Sequence, residues 1–159
     1  MKKFELTTES ITFLGRTLFR IKALISFGNV KAGELGGYIE KEGNLSHEGN
    51  AWVYGDAWVY GNARVYGDAW VCDNARVCGD AEVYGDADIA TISGFGSEYR
   101  TTTFFRTKND EIAVKCGCFY GTLAEFREKV KETHGDNRYA KEYLMIADLM
   151  EMHFRGEEK

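Results

Sequence analysis

The sequence predicts a mainly β protein, in which a short solenoid of six-residue repeats precedes a C-terminal α+β appendage. Three observations predict this class. Residues 43–96 divide into consecutive units of six residues without an insertion. Within each unit, small or branched aliphatic residues alternate with variable ones, as in a half-buried strand. Beyond residue 100 the pattern changes to two strand-like runs and then to helical periodicity.

The repeat is clearest in the units GNAWVY, GDAWVY, GNARVY and GDAWVC. Ala51 and Val53 fall on one face of their strand, and Trp52 falls on the other. Because the Ala-then-Val set is constant from Ala51 to Val83, we expect it to fill the interior and the variable residues to face solvent. Gly and Asn or Asp begin most units because they tolerate the positive φ of a tight corner. A strand and corner of six residues cannot form a hairpin sheet, so the chain must coil.

These units resemble the hexapeptide-repeat left-handed β-helices, whose aliphatic-then-small spacing is matched by Val53 then Ala57. The segment VKAGELGGYI at residues 30–39, followed by Asn-Leu-Ser at 44–46, is similar to YdcK-type β-solenoid proteins of bacteria and phages. Residues 100–154, with the motifs FFRT and CGCF, look like an appendage found on small phage-borne members. The resemblance implies a left-handed coil in which three units complete one lap of 18 residues.

An 18-residue period predicts which residues become neighbours in coils stacked about 4.8 Å apart. Val lies on Val, and most pairs of corner residues have one neutral partner. The expected pairs are Trp52 over Trp70, Arg64 over Glu82, Asn50 over Asp68, Asp56 over Asn74 and Asn62 over Asp80. Asp68 over Asp86 is the like-charged exception.

The outward residues sort into three surfaces. The first carries Trp52, Tyr54, Trp70, Cys72 and Asp88, the second carries Trp58, Tyr60, Arg76 and Cys78, and the third carries Ser46, Glu48, Arg64, Tyr66, Glu82 and Tyr84. Exposed aromatic patches usually mark an interface. The alternatives are that Tyr and Trp favour strands for their own sake, or that the appendage covers them. The candidate binding residues are Trp52, Tyr54, Trp58, Tyr60, Trp70 and Arg76.

The sequence divides into an N-terminal β cap and first coil at 1–42, the solenoid at 43–96 and the appendage at 97–159. A solenoid needs caps because both ends expose unpaired backbone. Residues 1–30 alternate as in a hairpin or first-coil cap, and Phe95 occupies an inward position from which it can close the far end.

The appendage is expected to be a β-hairpin and two helices. Thr101–Arg106 and Ile112–Phe119 predict the strands, and Thr122 with Glu125 forms a capping box for a helix ending near His134. A second helix is expected at Asn137–Phe154. Its apolar stripe (Tyr139, Tyr143, Ile146, Met150 and Phe154) is broadened by Leu144, Leu149 and Met152. We therefore expect this helix to pack deeply or to form a homo-oligomer contact.

Charge and composition exclude several classes of function. A formal net charge of −5 argues against direct nucleic-acid binding, and no apolar run is long enough to span a bilayer. The first residues turn polar too soon for a secretion signal, so we expect a cytoplasmic protein in a bacterial cell. Cys72, Cys78, Cys116 and Cys118 are expected to be free thiols, and no metal or cofactor is expected.

The main enzymatic alternative is acyl transfer, which the resemblance suggests because many hexapeptide β-helices are acyltransferases with a histidine base beside an inserted loop. The repeat has no inserted loop, and His47 replaces an inward Val, which favours a capping or core role. His134 ends a helix, and His153 lies near the end of the sequence. A non-catalytic role is therefore preferred.

The expected function is that of a phage or mobile-element binding protein, whose solenoid docks on a host protein or ribonucleoprotein complex. An acidic solenoid with aromatic faces suits an inhibitor of a host defence complex such as a CRISPR effector. Two alternatives stay open at this point: sequestration of a small nucleotide signal between subunits, and hexapeptide-type acyl transfer.

Overall fold

A computed structural model describes residues 2–85 and 88–155. The chain begins with strands β1 (Phe4–Phe13), β2 (Arg16–Ala23) and β3 (Leu35–Ile39) and a 3₁₀ turn at Glu42–Asn44. Two-residue strands follow: β4 (Trp52–Val53), β5 (Trp58–Val59), β6 (Arg64–Val65), β7 (Trp70–Val71), β8 (Arg76–Val77) and β9 (Glu82–Val83). The chain continues with β10 (Ile89–Phe95), β11 (Arg100–Arg106), β12 (Ile112–Cys116), β13 (Phe119–Thr122), α1 (Leu123–His134) and α2 (Arg138–Arg155).

The short strands stack in three parallel columns with the predicted period. β4 pairs with β7, β5 with β8 and β6 with β9, so residues 18 apart are neighbours. Trp52 lies beside Trp70 and Arg64 beside Glu82, as the sequence predicts. The backbone N–H of Trp52 donates to the carbonyl oxygen of Ala69, and the same bond recurs along the stack. The repeat is therefore a stack of coils rather than a meander.

The first coil departs from the period by two residues. Tyr38 pairs with Trp58, and Leu45 bridges to Val65. The two extra residues lie between Leu45 and Trp52, because the step from Leu45 to Trp52 is seven residues whereas the step from Val65 to Trp70 is five. In the 3₁₀ turn that precedes them, the buried Asn44 side chain accepts backbone N–H bonds and donates to the carbonyl oxygen of Ala63 at 2.8 Å. This amide therefore links the turn to the second coil.

The interior of the stack consists of the predicted Ala and Val residues. All are at most 1% exposed: Ala51, Val53, Ala57, Val59, Ala63, Val65, Ala69, Val71, Ala75, Val77, Ala81 and Val83. Corner glycines have positive φ, for example 57° at Gly55 and 69° at Gly61. Asp73 takes a corner position without glycine and adopts φ 58°. The predicted inward set and corner chemistry are confirmed.

An N-terminal hairpin extends one column of the stack. β1 and β2 pair antiparallel, β2 pairs antiparallel with β3, and β3 joins β5 in parallel. The resulting sheet has the order β1-β2-β3-β5-β8. The N-terminal strands therefore continue the sheet of the second column beyond β5.

A four-stranded antiparallel sheet, β10-β11-β12-β13, closes the other end. Alternate side chains of β11 face opposite layers: Phe105 joins the solenoid core, and Phe104 packs among the helices. The hydroxyl of the buried Thr103 accepts from the N–H of Arg76 at 3.0 Å, and the N–H of Lys108 donates to the Asp80 carbonyl at 3.0 Å. The sheet is thus a layer between the stack and the helices.

This end differs from the sequence-based expectation. Ile89–Phe95 pairs with β11 in the appendage sheet instead of continuing the coils, because a seven-residue strand there gains a long antiparallel ladder. Phe95 is 37% exposed, and Phe105, with no exposed surface, closes the core in its place. The predicted stacking of Asp86 on Asp68 lies outside the described residues.

The two predicted helices and the β11–β12 hairpin are confirmed, and β10 and β13 complete the sheet. The Thr122 side chain accepts from the N–H of Glu125, and the Glu125 side chain accepts from the N–H of Thr122. Within the described part of the chain, neither helix is long and apolar enough to cross a membrane.

Candidate binding surface

Trp52, predicted to face solvent, is completely buried. The rings of Phe4 and Phe27 meet its indole edge-on at centroid distances of 6.4 and 5.2 Å. Its Nε1 has no hydrogen-bond partner among the described residues. The period-2 pattern correctly places Trp52 outside the coil, but the N-terminal segment then covers it, so Trp52 belongs to the core.

Tyr60 is also buried, contrary to prediction, because the tip of the N-terminal hairpin lies over it. The Phe13 ring lies 5.7 Å from the Tyr60 ring, and the Arg16 guanidinium lies 5.4 Å from it. Burial raises the pKa of the Tyr60 hydroxyl far above its usual value. Trp52 and Tyr60 are therefore both removed from the candidate surface.

Trp58 and Arg76 form a stacked pair on the second column. The Arg76 guanidinium lies 3.9 Å from the Trp58 ring centroid, while Phe13 meets the same indole edge-on at 4.8 Å. Arg76 Nη1 donates to the carbonyl oxygens of Asn74 at 2.9 Å and of Asp56 at 3.2 Å. Both residues are half-buried, and burial lowers the pKa of Arg76. Arg76 consequently links the backbone of two successive corners between the first and second columns.

That corner and the first column form an open groove, here called the corner groove. Its volume is about 570 Å³, and it is lined by Asn29, Tyr54, Gly55, Asp56, Trp70, Cys72, Asp73 and Asn74. The Tyr54 and Trp70 rings meet edge-on with centroids 5.7 Å apart. Trp70 is 42% exposed, the largest exposed fraction among the candidate binding residues. The structure thus brings Tyr54 and Trp70 together and places Arg76 behind them.

Charge around the corner groove is unevenly compensated. Arg20 Nη2 lies 3.7 Å from the Asp56 carboxylate. The exposed Asp73 carboxylate accepts from the Cys72 thiol at 3.8 Å and has no salt bridge to a cation of the described residues. The groove therefore offers one aromatic wall and an acidic rim.

A second aromatic pair lies on the third column, where the sequence reasoning selected no candidate. The Tyr66 and Tyr84 rings meet edge-on at 5.0 Å, and Tyr84 is largely exposed. The Tyr66 hydroxyl donates to Glu82 at 3.0 Å, and Glu82 lies 4.0 Å from Arg64. The signal that could have found this pair is the separation of 18 residues between Tyr66 and Tyr84, which is one lap of the repeat.

His47 is held by contacts that use both ring nitrogens. Nδ1 accepts from the backbone N–H of Lys3 at 3.0 Å, and Nε2 lies 3.0 Å from the Glu42 carboxylate. The imidazole stacks on the Phe4 ring at 4.1 Å. These contacts join the first coil to the N-terminal strand and leave no ring nitrogen directed at a cavity.

Among the described residues no disulfide joins the four cysteine thiols, and no group of three His, Cys, Asp or Glu side chains is placed to hold a metal ion. Of these thiols, Cys72 lines the corner groove, and Cys78 is buried under the hairpin.

The parallel pairing of short strands 18 residues apart is the arrangement of a β-solenoid repeat. Residues 57–73 match the family model described as the YdcK β-solenoid repeat. The match runs from Ala57, the residue before β5, to the corner at Asp73, and it includes Trp70 of the groove. No curated protein was found to be similar in sequence to this chain.

Proposed function

We propose that this protein is a non-catalytic binding protein that docks on a macromolecular partner through the corner groove. The observation that carries the proposal is the exposed Trp70 ring, held against Tyr54 on a closely packed stack. Tryptophan and tyrosine on rigid supports contribute much of the binding free energy at interfaces, because little conformational entropy is lost there. The fully engaged imidazole of His47 supports a non-catalytic role.

The proposed partner is a host protein or ribonucleoprotein with a basic surface, such as a CRISPR effector. Proteins that hold RNA need Lys and Arg, and the net charge of −5 with Asp73 at the groove favours approach to such a surface. We also propose that the solenoid coils in the left-handed sense, that the protein comes from a phage or a bacterium, and that it acts in the bacterial cytoplasm. The similarity of residues 57–73 to the YdcK repeat supports the solenoid part of it.

The test is affinity capture by the purified full chain from a bacterial lysate that contains a CRISPR effector. Trp70→Ala should reduce capture of the effector at least about tenfold, since an aromatic hot spot is typically worth 2 kcal/mol or more. Tyr84→Ala is the matched control, because it removes an exposed ring from the third column. If folded Trp70→Ala protein captures its partner as well as the parent chain does, the groove is not the docking site.

A further inference from the structure

A second cavity, of about 410 Å³, lies in the appendage between the four-stranded sheet and the helices. The residues that matter for its chemistry are Arg100, Cys116, Cys118, Lys129, His134 and Tyr143. None of them lines the corner groove. A ligand in this cavity would therefore be independent of the proposed docking function.

Flat rings and a thiol form the inner part of the cavity. The Tyr143 ring is flanked by His134, with centroids 6.1 Å apart and planes 28° apart, and edge-on by Phe126 at 5.5 Å. Cys116 Sγ accepts from the Thr102 hydroxyl at 3.2 Å and lies 3.8 Å from the Tyr143 oxygen. Burial raises the pKa of Tyr143 to about 12, so this hydroxyl is neutral at physiological pH. The inner surface thus suits a flat, largely apolar group.

The rim of the cavity is cationic in an otherwise acidic protein. Arg100 and Lys129 line it together with a single carboxylate, Glu98. The Arg100 guanidinium lies over Gly117, which has a positive φ of 59° in the turn between Cys116 and Cys118. Arg100 forms no salt bridge with any residue that the structure describes, and Lys129 reaches only Glu132, at 3.5 Å. Both cations are therefore available to an anionic group.

We propose that this cavity binds a small aromatic anion, with its ring against Tyr143 and His134 and its anionic group between Arg100 and Lys129. Aromatic rings pack on one another by offset or edge contacts, and a planar guanidinium matches carboxylate and phosphate oxygens. Aromatic carboxylates and nucleoside monophosphates share this chemistry. Cys118, exposed at the mouth, becomes shielded when the ligand is bound.

Isothermal titration calorimetry of the full chain tests the proposal with naphthoate and adenosine monophosphate as separate probes. At least one probe should bind, and neutral naphthalene methanol should bind at least about tenfold more weakly than naphthoate if naphthoate is the ligand type. Binding of naphthoate alone assigns the site to aromatic carboxylates, and binding of adenosine monophosphate alone assigns it to aromatic phosphates. Binding of neither probe, or equal binding of the neutral compound, overturns the proposal.

A variant pair and thiol labelling locate the bound probe. Lys129→Gln should weaken binding about fivefold to tenfold, whereas Lys131→Gln, on the same helix but outside the cavity, should not change it. Saturating probe should slow alkylation of Cys118 by iodoacetamide severalfold and leave the exposed Cys72 unaffected. Equal protection of both thiols, or equal affinity of both lysine variants, would place the probe elsewhere.

Discussion

At the scale of single residues, Lys3 illustrates how the open end of the stack is satisfied. Its ammonium is buried and donates to the carbonyl oxygens of Ala51 at 2.7 Å and Gly49 at 3.2 Å. In later coils the equivalent alanine carbonyl accepts a backbone N–H from the preceding coil, as Ala69 does from Trp52. Burial lowers the pKa of Lys3 from 10.5 to about 8. The Lys3 ammonium thus supplies the hydrogen-bond donors that a preceding strand would otherwise supply, at the cost of desolvating its charge.

Lys3 makes stability depend on alkaline pH. Between pH 8 and 10 the unfolded chain holds more of this proton than the folded chain, so the contribution of Lys3 to the free energy of unfolding should rise with pH, by about 2 kcal/mol. Burial raises the pKa of the Cys78 thiol, which acts in the opposite direction from about pH 9, and the raised pKa values of Tyr60 and Tyr143 do so above pH 10. Urea denaturation at pH 7, 8, 9 and 10 measures the effect. The difference in the free energy of unfolding between the parent chain and Lys3→Met should grow from pH 8 to pH 10, and a difference that does not change with pH would contradict the prediction.

Asp73 occupies a left-handed corner at φ 58° where most units have glycine. A non-glycine residue in this region costs about 1 kcal/mol, less for Asp than for most residues. Asp73→Gly should therefore raise the free energy of unfolding by about 0.5 kcal/mol, and Asp73→Ala should lower it. Thermal denaturation distinguishes the two. Equal melting temperatures for both variants would show that the corner is not strained.

At the scale of elements, β11 is buried on both faces and joins the solenoid to the helices. Phe105 and Ala113 extend the core of the stack, while Phe104 and Val114 face α1 and α2. The adjacent phenylalanines were the sequence signal for such a strand, since neighbouring residues point to opposite faces. This sheet, rather than the last repeat units, is the cap.

Replacing Phe105, whose ring closes the core, should destabilise the fold far more than replacing Phe95, which the sequence predicted for this role. Phe105→Ala should lower the free energy of unfolding by about 3–5 kcal/mol, because it leaves a cavity at the end of the core. Phe95→Ala, at an exposed position, should lower it by about 1 kcal/mol or less. Chemical denaturation gives both values. Similar losses would mean that Phe105 does not seal the stack.

The columns and the helices could be predicted from sequence, whereas the covered faces could not. The six-residue spacing predicts that Ala and Val face the interior, and the three units per lap that the resemblance implies predict which residues stack. Trp52 and Tyr60 are buried because the N-terminal hairpin lies over them. The alternation of inward and outward residues within the repeat does not show where that hairpin packs. The two extra residues between Leu45 and Trp52 could not be predicted either, because GNLSHE reads as one more unit of six.

At the scale of the whole molecule, α2 presents a second apolar stripe on its outer face. Met145, Leu149 and Met152 are 72%, 49% and 64% exposed and lie at the spacing of one helix face. The opposite face, with Tyr143, Ile146 and Met150, is buried against the sheet and α1. Because apolar side chains in a row favour burial, we propose that this stripe pairs with a second copy of the chain.

Charge placed on the stripe should disrupt this self-association. Leu149→Lys should shift the protein to a monomer in size-exclusion chromatography with light scattering, because pairing would then bury an ammonium. Glu128→Gln, the same change in charge on α1, is the control. A parent chain that is monomeric at all concentrations would refute the pairing.

The contacts between the closing sheet and the last coil have a consequence for how such proteins lengthen in evolution. Thr103 meets Arg76 of the second column, while Lys108 meets the corner at Asp80 that leads to the third. Duplicating one six-residue unit would place a different column of the stack opposite each of these two groups. Growth by whole laps preserves every junction, so descendants of this architecture should differ in length by multiples of three units.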